Sequence, residues 1–150
     1  ARDLAERFPA ARSVLLEIEE ALGIPLTRIM WDGPEAELLE TRNTQPAILA
    51  HSAAVLAVVA GRLGPVVGAA GHSLGEYSAY HAAGALSAVD AARLVRRRGE
   101  LMHQAGQARP GAMAAVLGLD GAQVQALCAE ASAAGGGVVV AANLNAPGQP

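Results

Sequence analysis

Aromatic residues are scarce in this 150-residue chain, at 3% of positions, and charged residues reach only 17%. So few rings exclude a core built from large aromatic clusters. With 52% apolar residues, many of them alanine, the sequence favours helices packed closely through small side chains, and an ordered domain rather than a disordered one. Cysteine is nearly absent: Cys128 alone excludes an intramolecular disulfide and fits a reducing, cytoplasmic setting. Flanked by Leu127 and Ala129, it reads as a buried structural thiol. Positive charge is not in excess, and a net charge of -3 offers no electrostatic basis for binding nucleic acid. No long hydrophobic run is present either. The uncharged stretch from Pro46 to Gly61 falls short of the roughly 20 apolar residues of a spanning helix. It also contains His51 and Ser52, so it reads as the buried helix of a soluble domain with no membrane partner. The first residues, ARDLAERFPA, are charged and lack the apolar segment of a signal peptide. Internal repeats are also lacking.

The pattern that is present is helical for most of the chain. Val14, Leu15, Ile18 and Leu22 recur at helical spacing from Pro9 to Leu22, and Gly23 and Pro25 stop that helix. Asp32, Gly33 and Pro34 open a short helix running through Glu40, with Pro34 in its first turn. Thr44 is the expected N-cap of the buried helix that begins at Pro46. Pro65 to Ala70 reads as a buried inner strand, followed by a glycine-bracketed turn and a helix to about Ala83. Ser87 and Asp90 mark the start of a further helix to about Gln104. Beyond Arg109-Pro110-Gly111, Ala112 to Leu119 and Val138 to Asn143 read as strands around a helix capped by Asp120, a β-α-β unit.

One pentapeptide carries chemistry. Gly71-His72-Ser73-Leu74-Gly75 matches the G-x-S-x-G nucleophile elbow, between an expected strand and an expected helix. Such a turn strains the serine backbone and pushes the hydroxyl into the open, and small flanking residues let it close. The N–H groups of the following helix point to where negative charge develops, the Leu74 N–H among them. His72 is next in sequence but neighbours on a tight turn point apart, so it is expected to pack under the turn rather than act as a base. In the arginine run, Arg93, Arg96 and Arg97 share one side of the helix and read as a solvated face. Arg98 lies about 100° further round.

The longer string GHSLGEYSA, Gly71 to Ala79, resembles the nucleophile segment of the malonyl-CoA:acyl-carrier-protein transacylase family. GPEAEL from Gly33, TQPAIL from Thr44, RLVRRRGELM from Arg93, GAMAAVLGL from Gly111 and NLNAPGQ from Asn143 match that family in the same order. The resemblance covers essentially the whole chain. It implies an α/β fold: an α/β-hydrolase-like large subdomain, with a small ferredoxin-like subdomain inserted. Residues 1–109 would belong to the large part and residues 110–150 would be the first part of the small one. It also implies an acyltransferase that moves a malonyl group from coenzyme A to the phosphopantetheine thiol of acyl carrier protein, in fatty-acid or polyketide synthesis. Ser73 would be the nucleophile, Leu74 an oxyanion donor through its backbone, and Arg98 the partner of the malonyl carboxylate. A planar guanidinium suits that carboxylate because it binds bidentately and keeps its charge. Gln45 and Asn145 lie in family-like strings and are candidates for the cleft lining. No metal and no bound cofactor are implied; the coenzyme and the pantetheine arm arrive with the substrates.

The family's catalytic histidine lies beyond Pro150, and its opening strand and glutamine-rich loop lie before Ala1. His51, His72, His81 and His103 match no histidine of that role, so the 150 residues alone are expected to be inactive. A serine hydrolase or thioesterase using the same elbow is one alternative, and a non-catalytic docking module is another.

Overall fold

The computed structural model describes residues 1–135, 137–143, 145 and 146. They form two compact units, Ala1–Pro110 and Gly111–Pro150.

The first unit is built from helices α1 (Arg2–Arg7), α2 (Pro9–Leu22), α3 (Leu26–Asp32), α4 (Glu35–Leu39), α5 (Thr41–Val59), α6 (Gly75–Ala82) and α7 (Ala88–Ala108). Helix α2 has the expected bounds, and Gly23 ends it by donating to the Glu19 and Glu20 carbonyls at 3.0 and 3.2 Å. Helices α1 and α3 carry too short a pattern to read from sequence. Helix α3 is instead capped from outside: the Glu19 carboxylate of α2 accepts both the N–H and the hydroxyl of Thr27 at 2.6 Å. Pro34 is the N-cap of α4 rather than a first-turn residue.

Helix α5 forms the centre of this unit and packs chiefly against α7 and α2. Leu15 and Ile18 of α2, Leu49, Ala50, Ala53 and Ala54 of α5, and Ala91, Ala92 and Val95 of α7 are all buried together. Alanines at the crossings let helix axes approach closely, as the composition implied. The helix starts at Thr41, five residues before the expected Pro46. Thr44 is therefore not its cap; its hydroxyl donates to the carbonyls of Leu38 and Glu40 at 2.6 and 3.2 Å. Continued by a 3-10 turn to Arg62, this helix is long and apolar enough by length and composition to cross a membrane, contrary to the shorter span read from sequence. Helix α7 is capped by Ser87, whose Oγ accepts the Asp90 N–H at 3.0 Å.

The second unit holds α8 (Gly121–Ala133), opened by a reciprocal cap between Asp120 and Gln123 at 2.8 and 3.0 Å. Among the described residues no strand forms, and the three expected strands require correction. Residues 65–70, 112–119 and 138–143 form neither helix nor strand and make no ladder. Their side chains are largely exposed rather than buried: Val67 is 101% exposed and Val138 90%. Strand character needs a hydrogen-bonding neighbour, and an apolar sequence alone cannot provide one. Cys128 is half-buried, not enclosed.

Candidate active site at Ser73

The turn from Gly71 to Gly75 has the geometry that the elbow pattern demands. Ser73 has φ 55°, the left-handed region, and no other non-glycine described residue has a positive φ. The turn is tied by bonds from Gly75 N–H to the His72 carbonyl at 2.8 Å and from Glu76 N–H to the Ser73 carbonyl at 3.2 Å. Gly71 is obligatory, because a Cβ there would collide with the Gly75 carbonyl group and lie 2.7 Å from the Glu76 nitrogen. The second glycine is not under the same pressure: a Cβ on Gly75 would meet nothing within 4 Å. Leu74 half-buries its side chain against the core and begins the run into α6, while no bond from its N–H is found among the described residues. His72 is exposed, so the expected packing under the turn is not observed.

Three of the candidate residues come together. Arg98 donates from Nη2 to Ser73 Oγ at 2.9 Å and from Nη1 to Gln45 Oε1 at 2.5 Å. Gln45 is buried, at 4% exposure, and its Nε2 is held by Thr41 Oγ1 at 3.0 Å and Met102 Sδ at 3.3 Å. Its amide is thus fixed in orientation, with the oxygen turned to the guanidinium. A cation beside the serine hydroxyl is suited to an anionic acyl group, and its planar fork to a carboxylate. Asn145 belongs to the second unit, where it is exposed and lines a cleft of about 460 Å³ together with Val116, Val124, Cys128 and Val140. On α6, the Tyr80 hydroxyl donates to Glu76 at 3.0 Å, and that bond holds the phenol above its ordinary pKa.

The arginine run behaves differently from the single solvated face read in the sequence. Arg93 and Arg97 are exposed, but the Arg96 side chain is only 19% exposed. It donates to Asn43 Oδ1 at 2.7 Å, to the Arg42 carbonyl at 3.1 Å and to Glu100 at 2.8 Å. The missed signal is Pro46, which cannot donate to the carbonyl four residues back and so leaves Arg42 open to another donor. Among the described residues, no group of three or more His, Cys, Asp or Glu is placed to hold a metal.

The acyl transferase domain model matches residues 1–147. The chain belongs to the acyl transferase domain family. It is 44% identical over 148 residues to the malonyl CoA-acyl carrier protein transacylase of Bacillus subtilis (strain 168), covering 99% of this chain and 46% of that relative. Among solved structures it matches FabD from Acinetobacter baumannii with a TM-score of 0.86 and 45% identity, covering 97% of this chain and 46% of that one. It also matches a malonyl-transacylase solved in complex with its type II PKS acyl-carrier protein, with a TM-score of 0.86 and 41% identity over 99% of this chain and 48% of that one. The chain therefore matches part of the fold of FabD-type acyltransferases and spans just under half the length of the relatives it matches.

Proposed function

We propose that the whole protein carrying this chain moves a malonyl group from coenzyme A to the phosphopantetheine thiol of an acyl carrier protein, through an acyl ester on Ser73. The observation that carries the reading is the Arg98 guanidinium 2.9 Å from the hydroxyl of a serine on a left-handed elbow. Similarity to transacylases, one of them solved with its carrier protein, supports the substrate and the partner.

In the first half-reaction Ser73 Oγ attacks the thioester carbonyl and loses its proton to a base, a histidine outside these residues. The C–S bond then breaks, and the coenzyme leaves as its thiol, taking that proton from the base. In the second, the carrier thiol gives its proton to the base and attacks the ester carbonyl, the C–O bond to Ser73 breaks, and the base returns the proton to Ser73 Oγ. The Leu74 N–H would stabilise the oxyanion of both tetrahedral intermediates, and Arg98 would hold the malonyl carboxylate. Gln45, which already orients Arg98, lines this site. The role of Asn145 rests on the resemblance alone. Residues 1–109 are assigned to the large acyltransferase subdomain and 110–150 to the first part of a ferredoxin-like one, the exposed non-helical segments becoming strands when paired. A cytoplasmic location, with no membrane or nucleic-acid partner, goes with these substrates.

Brief exposure of the whole protein to malonyl-CoA should add one malonyl mass to the peptide containing Gly71 to Glu76, and Ser73→Ala should remove it. A label that persists in that variant or maps elsewhere overturns the assignment.

A further inference from the structure

Arg96 lies outside the group that faces Ser73, yet its side chain is only 19% exposed, far more enclosed than those of Arg93 and Arg97. Its contacts converge on the first turns of α5. Pro46 is the sixth residue of that helix and has no N–H to give the Arg42 carbonyl, so the helix lacks one rung just where Gln45 projects. Arg96 fills the gap from α7, donating to the Arg42 carbonyl at 3.1 Å and to Asn43 Oδ1 at 2.7 Å. Asn43 is itself buried, and its Nδ2 donates to the Glu37 carbonyl at 2.8 Å. Three residues along α7, Gly99 closes the same crossing. A Cβ on it would stand 2.8 Å from both the Arg42 Cα and the Thr41 carbonyl oxygen. Glu100 completes the arrangement by accepting from Arg96 Nε at 2.8 Å.

The two helices locked at this point are the two that supply Gln45 and Arg98. Gln45 follows Asn43 by two residues, and Arg98 follows Arg96 by two. A shift or rotation of α5 against α7 here would change the 2.5 Å contact between them, and with it the aim of the guanidinium at Ser73. We propose that Arg96 is a positioning residue: it replaces the hydrogen bond that Pro46 cannot make, and so sets the register in which Gln45 presents Arg98 to the substrate carboxylate. This inference rests on the assignment of Arg98 to that carboxylate.

The test uses the whole protein, with kcat/KM measured for malonyl-CoA and for acetyl-CoA in Arg96→Ala, Arg96→Lys, Arg98→Ala and the Arg96→Ala/Arg98→Ala double variant. Arg96→Ala should lower malonyl transfer roughly two- to thirtyfold, the scale of indirect coupling through a packed network, and should affect acetyl transfer less. In the Arg98→Ala background it should bring no further loss of malonyl selectivity, since there is no guanidinium left to aim. Arg96→Lys, which keeps one donor, should recover part of the loss and covers the case in which the alanine variant fails to fold. Equal losses on both thioesters, or a selectivity loss of the same size with and without Arg98, would show that Arg96 supports the fold only. If Arg98→Ala alone leaves the preference for malonyl-CoA intact, the carboxylate assignment falls and this inference with it.

Discussion

At the scale of single residues, the proposed site divides its work between strain at Ser73 and charge at Arg98. A serine held at φ 55° costs on the order of 1–3 kcal/mol and persists only because the turn around it is over-determined. The Gly71 contact and the bonds from Gly75 and Glu76 provide that constraint. In the proposed role, Arg98 has a different dependence: its value is conditional on a negative partner. Charged hydrogen bonds contribute about 1.5–3 kcal/mol, or roughly ten- to a hundred-and-fifty-fold in kcat/KM. Arg98→Ala in the whole protein should lose about that much on malonyl-CoA while acetyl-CoA activity holds or rises. Arg93→Ala and Arg97→Ala should leave the preference alone, because both side chains stand in solvent. Steady-state kinetics on the two thioesters decides this, and equal losses would make Arg98 a structural residue.

At the scale of elements, the crossing of α5 and α7 explains why two glycines of the same helix should respond in opposite ways to one methyl group. Gly99 faces backbone that cannot retreat, so Gly99→Ala should destabilise by about 1–3 kcal/mol, as overpacking does. Gly106 lies in the same helix, but a Cβ there would meet nothing within 4 Å. Gly106→Ala should therefore stabilise by about 0.5–1 kcal/mol through helix propensity. Denaturant midpoints of the two variants separate these outcomes; a neutral Gly99→Ala would mean the helices are not locked there. The same crossing shows what sequence pattern misses. The expected start at Pro46 rested on Thr44 as its cap, whereas α5 begins at Thr41 and carries Pro46 inside it, with Arg96 donating to the Arg42 carbonyl.

At the scale of the molecule, the exposed apolar backbone segments dominate behaviour. Val66, Val67, Met113, Leu117, Val138 and Val140 stand exposed, on non-helical stretches that have no ladder among the described residues. Exposed apolar segments with unpaired backbone favour association. The isolated chain should therefore self-associate in a concentration-dependent way, measurable by light scattering. Val67→Lys should reduce that association without lowering the melting temperature, since Val67 is 101% exposed. Unchanged scattering in that variant would place the sticky surface elsewhere.

What the sequence determined by itself is local: α2 between Pro9 and Leu22, the caps at Ser87 and Asp120, and the turn that carries Ser73. Each depends on residues within a few positions of one another, where sterics and short hydrogen bonds settle the outcome. The family strings added the identity of Arg98 as a candidate, but not its surroundings. Only the tertiary structure brought Gln45 to Arg98 across 53 residues and Arg98 to Ser73 across 25. It alone moved Arg96 from a solvated face into a helix crossing. It also left Pro65 to Ala70 without a ladder among the described residues, where the pattern read a buried strand. Burial and pairing belong to partners, and a partner distant in the chain leaves no trace in the periodicity of the segment that meets it.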